Sequence, residues 1–184
     1  MIGFVARAFV AVVPPAPLFD AVATTAMAAR ANLEGRPGLG GSGRWVPPAQ
    51  WHLTLAFLGN DVDLEVVAAQ LATVEFGAFM ASLRGIGAFP RPRSARVLWL
   101  GVCDGRRELI DLAADLDRRL GARADQPFRP HLTLARFRAP VDARSVVTRD
   151  RDVGTWRVDE LVLFESVLGS RGARHRPHAR FALR

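Results

Sequence analysis

An α+β fold of two small antiparallel sheets with helices packed outside is what this sequence predicts, and three observations carry the prediction. Apolar runs of strand length alternate with segments whose apolar residues recur at helical spacing. Proline, glycine and charged clusters separate these runs closely enough for hairpins. The pentapeptide His-Leu-Thr-Leu-Ala occurs twice, beginning at His52 and again 79 residues later at His131. Each copy follows a proline-bearing, basic approach and precedes an apolar continuation, which suggests duplicated lobes. Outside the pentapeptide the halves share little, so the pattern is two lobes and not a repeat array.

The elements follow in order. Ile2 to Val13 reads as a strand stopped by Pro14, Pro15 and Pro17, prolines that a first helical turn tolerates, so Leu18 to Leu33 follows as a helix. Gly35 to Gly43 is a glycine-rich loop, and His52 to Leu58 is a strand ended by Gly59 and Asn60. Leu64, Val67, Ala68 and Leu71 predict a helix over Asp63–Val74. Phe79–Phe89 and Arg96–Val102 predict a hairpin about the Pro90–Ser94 turn, and Leu109, Leu112, Leu116 and Leu120 a helix over Arg106–Leu120 closed by Gly121. After the second pentapeptide strand, the reading is a short helix over Asp142–Thr148, one long strand over Trp156–Leu168, a turn at Gly169–Gly172, and a last strand ending at Leu183.

Composition sets the class. The chain has 184 residues with 49% apolar content, enough for a folded core, and no stretch approaches a membrane span. No secretory leader is visible, so the expectation is an untargeted, soluble, cytoplasmic protein. Cys103, the single cysteine, suits a reducing compartment and reads as a small buried apolar residue. The net charge of +7 points to polyanionic partners. With no lysine and no tyrosine in the chain, part of that basicity reflects composition bias, although arginine favours bidentate phosphate contacts.

The repeated motif carries the chemistry. On a strand, His52 and Thr54 share one face while Leu53 and Leu55 share the other, and His131, Thr133, Leu132 and Leu134 do the same. If the two strands meet, two imidazoles and two hydroxyls converge on one spot. Hydrolysis of a phosphodiester needs a group that takes a proton from water and one that gives a proton to the departing alkoxide, and histidine does both near neutrality. Threonine hydroxyls can hold the non-bridging oxygens. Neither motif contains an acidic residue, so the set lacks the carboxylates of a metallophosphoesterase, and no metal or other cofactor is expected.

Paired His-x-Thr-x motifs in this setting resemble the 2H phosphoesterase superfamily, and specifically its RNA 2′,3′-cyclic phosphodiesterase (2′-5′ RNA ligase) branch. The resemblance extends to Arg44-Trp45-Val46-Pro47, Phe57-Leu58-Gly59, Phe89-Pro90-Arg91-Pro92-Arg93, Val97-Leu98-Trp99-Leu100, Pro127-Phe128-Arg129-Pro130 and Asp159 to Ser166. It implies one bilobal domain over residues 1–184 with two pseudo-symmetric antiparallel sheets flanking a central cleft, one motif in each lobe. It also implies metal-independent hydrolysis of RNA 2′,3′-cyclic phosphate ends to 2′-phosphomonoesters, with reversible 2′-5′ ligation left open. His52 is then the proton donor and His131 the proton acceptor, labels that come from the resemblance alone, while Thr54 and Thr133 bind the phosphate. The implied partner is an RNA or oligonucleotide with a cyclic phosphate end, met by a monomer away from membranes. Small cyclic nucleotide phosphates, 2′-5′ oligonucleotides, or a non-catalytic RNA-end binding role are the alternatives.

Phe57, Arg129 and Arg136 are candidate substrate contacts. Phe57 and Arg136 each stand five residues after a motif histidine, and strict alternation turns both away from the histidine face, so either needs a twist, a bulge or a strand end. His175 stands where relatives often carry an aromatic. It and His178 are expected to be exposed strand histidines, since no cysteine or carboxylate set completes a metal site. Phe4, Phe9, Trp99, Phe164 and Phe181 are expected in the core. Gly38 to Gly43 lacks the lysine and hydroxyl ending of a nucleotide-triphosphate loop and is read as a loop bordering the site.

Overall fold

The computed structural model describes residues 7–35, 43–122, 127–169 and 172–184. Phe4 with the start of the first strand, the glycine-rich stretch 36–42 and the Ser170-Arg171 turn lie outside these residues. The chain runs β1 (Arg7–Val12), α1 (Ala16–Glu34), β2 (Gly43–Trp45), β3 (Leu53–Gly59), α2 (Leu64–Leu71), β4 (Phe79–Phe89), β5 (Ala95–Val102), α3 (Arg106–Leu120), β6 (His131–Val141), β7 (Thr148–Val158), β8 (Glu160–Gly169) and β9 (Gly172–Ala182).

Two antiparallel sheets result, one ordered β3-β1-β8-β9 and the other β2-β6-β5-β4-β7. Without the three-residue β2, the orders correspond strand for strand. In each sheet a strand, a helix and the motif strand follow one another, β1-α1-β3 and β5-α3-β6, and the motif strand returns antiparallel to the first. The helices cross over: α1 packs on β7 of the other sheet and α3 on β3. The main core accordingly takes in both sheets, from Val10, Leu53 and Leu161 to Leu83, Leu98 and Leu132.

Local chemistry explains the helices. Asp63 caps α2, its carboxylate accepting from the amides of Glu65 and Val66 at 3.0 and 3.2 Å, a contact of the kind that contributes about 1 kcal/mol. On α3 the buried Leu109, Leu112, Ala113 and Leu116 recur at helical spacing, and Gly121 ends it in the left-handed conformation at φ 64°.

Three expectations are corrected. Asp142–Thr148 is a turn, not a helix: Asp142 accepts from the amide and guanidinium of Arg144, and the amides of Val146 and Val147 both return to Ala143. The long strand over Trp156–Leu168 is two strands, because the chain leaves one sheet at Val158 and enters the other at Glu160. Asp159 marks the crossing, its carbonyl accepting from the amide of Leu183 at 2.8 Å. Cys103 is exposed, lying just past the end of β5 where the chain turns toward α3. In addition, the end of the predicted glycine-rich loop, Gly43, opens β2, which pairs with β6.

Candidate active site

The backbone aims both histidines in the same way. His52 follows a 3-10 turn at Pro48–Gln50 and immediately precedes β3, while His131 opens β6. In each case Nδ1 lies 2.7 Å from the carbonyl oxygen two residues earlier, of Gln50 for His52 and of Arg129 for His131. A carbonyl only accepts, so Nδ1 carries the hydrogen and donates it. Each neutral ring is thereby fixed in the tautomer that leaves Nε2 as the proton-exchanging atom. Leu53 and Leu132, both fully buried, anchor the motifs from behind, while Thr54 and Thr133 sit half-buried on the histidine side, their hydroxyls making no hydrogen bond to the described residues.

A bulge then occurs at the same place in both motifs. On β3, Thr54 pairs with Ala11 but Ala56 with Val10, leaving Leu55 extra; on β6, Thr133 pairs with Trp99 but Ala135 with Leu98, leaving Leu134 extra. Two consecutive residues therefore face inward, Leu55 with Ala56 and Leu134 with Ala135, all buried. The alternation is reset, and Phe57 and Arg136 return to the histidine face. Phe57 is 71% exposed there, with its ring 6.2 Å from that of Phe9.

Aromatic rings line the cleft unequally. His52 is surrounded by Phe9 at 4.9 Å, Phe164 at 5.9 Å and His175 at 5.4 Å between ring centroids. Phe9, Ala11, Val162 and Phe164 form a small apolar cluster of their own beneath it. His131 is flanked by Phe89 at 5.2 Å and Trp99 at 6.2 Å. Trp99 lies over Gly87, where an added Cβ would come within 2.1 Å of the indole. Only glycine admits this stacking.

These surroundings set the proton affinities. Loss of water pushes the pKa of His52 down to about 4, the hydrogen bond to Gln50 opposing and the charges of His175, Arg136 and His131 adding to the fall. His131 is lowered for the same leading reason, its bond to Arg129 opposing and Arg136 adding to it. Arg136, itself lowered by loss of water and by Arg44 beside it, acts electrostatically on all three histidines.

The structure thus brings together His52, Thr54, Phe57, His131, Thr133 and Arg136. From Arg129 it brings the backbone carbonyl, while the side chain is exposed. The expectation of two exposed histidines is corrected for His175, which is half-buried against His52 and Phe9, whereas His178 meets Glu65 of α2 at 3.3 Å. Phe9, Phe89, Trp99 and Gly87 were not singled out as site residues by sequence. Their signal would have been the pairing register, which a single sequence does not print. Among the described residues no group of three or more histidine, cysteine, aspartate or glutamate side chains is placed to hold a metal ion, and no helix is long and apolar enough to cross a membrane.

Comparison with known proteins gives a consistent set of likenesses. The model of the 2′-5′ RNA ligase superfamily matches residues 18–169. The RNA 2′,3′-cyclic phosphodiesterase of Aeropyrum pernix is 36% identical over 140 residues, covering 69% of this chain and 78% of its own. The crystal structure of E. coli LigT in apo form superposes with a TM-score of 0.74 at 28% identity, covering 97% of this chain and 98% of that one. The same protein complexed with 3′-AMP gives 0.71 at 29% identity over the same shares.

Proposed function

The chain belongs to the 2′-5′ RNA ligase superfamily, and we propose that it hydrolyses the 2′,3′-cyclic phosphate at an RNA end to a 2′-phosphomonoester by two-histidine acid/base catalysis. The relatives named RNA 2′,3′-cyclic phosphodiesterase support the activity, and the E. coli LigT complex with 3′-AMP supports a nucleotide or RNA substrate. The observation that carries the mechanism is the matched fixing of both Nδ1 atoms by backbone carbonyls, with the charge of Arg136 bearing on both rings.

The steps follow from that geometry. A water oxygen attacks phosphorus and gives its proton to Nε2 of His131. The bond from phosphorus to the 3′ oxygen breaks, and protonated His52 delivers its Nε2 proton to the departing oxygen, so the phosphate stays on the 2′ oxygen. The two rings end with exchanged protonation states and re-equilibrate with solvent. Thr54, Thr133 and Arg136 hold the non-bridging oxygens, and Phe57 offers its exposed ring to the terminal base. The anionic phosphate, once bound, raises the depressed proton affinity of His52 and so charges the acid only when substrate is present. Neither motif contains an acidic residue, and the proposed steps need only proton transfer among water, the two histidines and the leaving oxygen.

The test is cleavage of an oligoribonucleotide ending in a 2′,3′-cyclic phosphate, in excess EDTA, with product isomers resolved. Wild type is expected to form the 2′-phosphate, and His52→Ala and His131→Ala each to lose on the order of a hundred- to ten-thousand-fold in rate. Turnover undiminished by either substitution would sink the mechanism; a 3′-phosphate product would reverse the assignment of the leaving oxygen.

A further inference from the structure

The hydrolysis described above leaves two groups at the cleft without a task, Arg44 and His175. Arg44 of β2 stands directly opposite Arg136 of β6 in the antiparallel register. Like charges placed opposite each other destabilise a sheet, and neither guanidinium has an ion pair or hydrogen bond with the described residues. From the other sheet, β9 delivers His175 with its ring edge-on to His52 and to Phe9, and its Nδ1 is buried with no hydrogen-bond partner. Two exposed guanidiniums side by side repel each other, and that repulsion falls if an anion binds between them, next to the ring of His175 on which both charges act.

A charge count leaves room for a second singly charged anion. Arg44 and Arg136 contribute two fixed positive charges, and the catalytic pair, with one ring protonated, adds one. The cyclic phosphate diester carries a single negative charge. Two positive charges are left unmatched beside a third imidazole, and among the described residues neither arginine has a carboxylate partner.

We propose that Arg44, Arg136 and His175 bind a second phosphate, the internucleotide phosphodiester next to the cyclic end, so that the favoured substrate is an RNA end of at least two nucleotides rather than a free nucleoside cyclic phosphate. This rests on the cyclic phosphodiesterase reading above. Arginine suits the task because its planar fork bonds two phosphate oxygens at once, and the charge of Arg136 bears on His52, His131 and His175 alike, so that it can serve both phosphates. The site spans both sheets, with His175 from one and the arginines from the other, so it exists only in the folded cleft.

Three substrates test it: adenosine 2′,3′-cyclic phosphate, the dinucleotide ApA with a 2′,3′-cyclic phosphate end, and that dinucleotide with a neutral methylphosphonate at the internucleotide link. For wild type, kcat/KM is expected to be at least about tenfold higher for the dinucleotide than for the mononucleotide, the size of one charge-assisted contact. The methylphosphonate should return it to near the mononucleotide value. Arg44→Gln should bring the ratio of dinucleotide to mononucleotide close to one, and His175→Phe should lower it by a smaller factor. Equal kcat/KM for the two natural substrates, or a preference that survives the methylphosphonate, would overturn the proposal, the latter by assigning the preference to the base. The methylphosphonate arm uses wild type and needs no variant to fold. Wild type inert on all three substrates would instead overturn the activity on which the proposal rests.

Discussion

The two halves of the cleft share a backbone and differ in what they put on it. Both motif strands fix Nδ1 of the histidine at 2.7 Å from a carbonyl two residues back, and both carry a bulge one residue past the threonine. Beneath the threonines the side chains trade sizes: the β3 half has Ala11 beside Val162, and the β6 half has Trp99 beside Gly87. Beyond the bulge one half presents Phe57 and the other Arg136. The comparison teaches that matched backbone geometry sets where the imidazoles point, while the residues around them give the two halves different chemistry. Both halves are lined by rings, but only the β3 half leaves one, Phe57, exposed beyond the bulge, and only the β6 half carries cations there, a difference that fits the proposed division between base and phosphate.

The strongest way to break this division is to remove Arg136. Arg136→Ala should lower kcat/KM by about a hundredfold or more, through kcat, as expected for a donor to the charged transition state. Phe57→Ala should cost only about tenfold and act through KM, matching the loss of one stacked base. Steady-state kinetics of the two variants on one oligonucleotide decides, and equal losses in the same parameter would erase the distinction.

The second prediction concerns pH. In the free enzyme His52 has its pKa near 4 and that of His131 lies below its ordinary value of 6.5, so at neutrality both rings are unprotonated. The productive form needs one proton on the pair. Its population therefore falls about tenfold per pH unit above pH 6.5, and kcat/KM should peak on the acid side of that value. The kcat profile should peak at higher pH, because the bound phosphate raises the affinity of the acid for its proton. A kcat/KM plateau extending to pH 8 would contradict the depressed values.

Stability provides the third. His52, His131 and His175 all have folded-state pKa values below their unfolded ones, so the unfolded chain binds more protons as the pH falls below 6.5, over a range that for His52 reaches about 4. Their contribution is complete above pH 6.5 and is lost as the pH falls toward 4. Thermal unfolding followed from pH 7 to pH 4 should show Tm falling, and His175→Phe should flatten the slope.

Gly87→Ala probes the size exchange. The new methyl group would displace Trp99 toward His131 and should cost about 1–3 kcal/mol of stability, together with a drop in kcat. The smallest expected effect is a control outside the cleft: Asp63→Ala removes the α2 cap and should cost about 1 kcal/mol in a denaturant melt while turnover stays at the wild-type level.

Sequence alone determined which face of each motif strand carries the histidine and threonine proposed to act, because strand alternation is a local rule. Once His-Leu-Thr-Leu-Ala is placed on a strand, histidine and threonine share a face and the leucines anchor the other, and a second copy supplies the proton partner. The helices were legible for the same reason: their periodicity and caps act within a few residues. What lies beyond one turn or one strand was not legible. Trp156–Leu168 looks like one strand because both its halves are apolar, and only the pairing of Val158 with Phe79 and of Glu160 with Ala182 divides it between sheets. Phe57 and Arg136 face the histidines only because of bulges that exist by virtue of the partner strands, since a register shift is a property of two chains of hydrogen bonds and not of one. His175 is 123 residues from His52 in the chain, and the antiparallel closure of β9 onto β8 and of β8 onto β1 carries it into contact. The proton chemistry was written locally, and the cleft that shapes it came from long-range pairing.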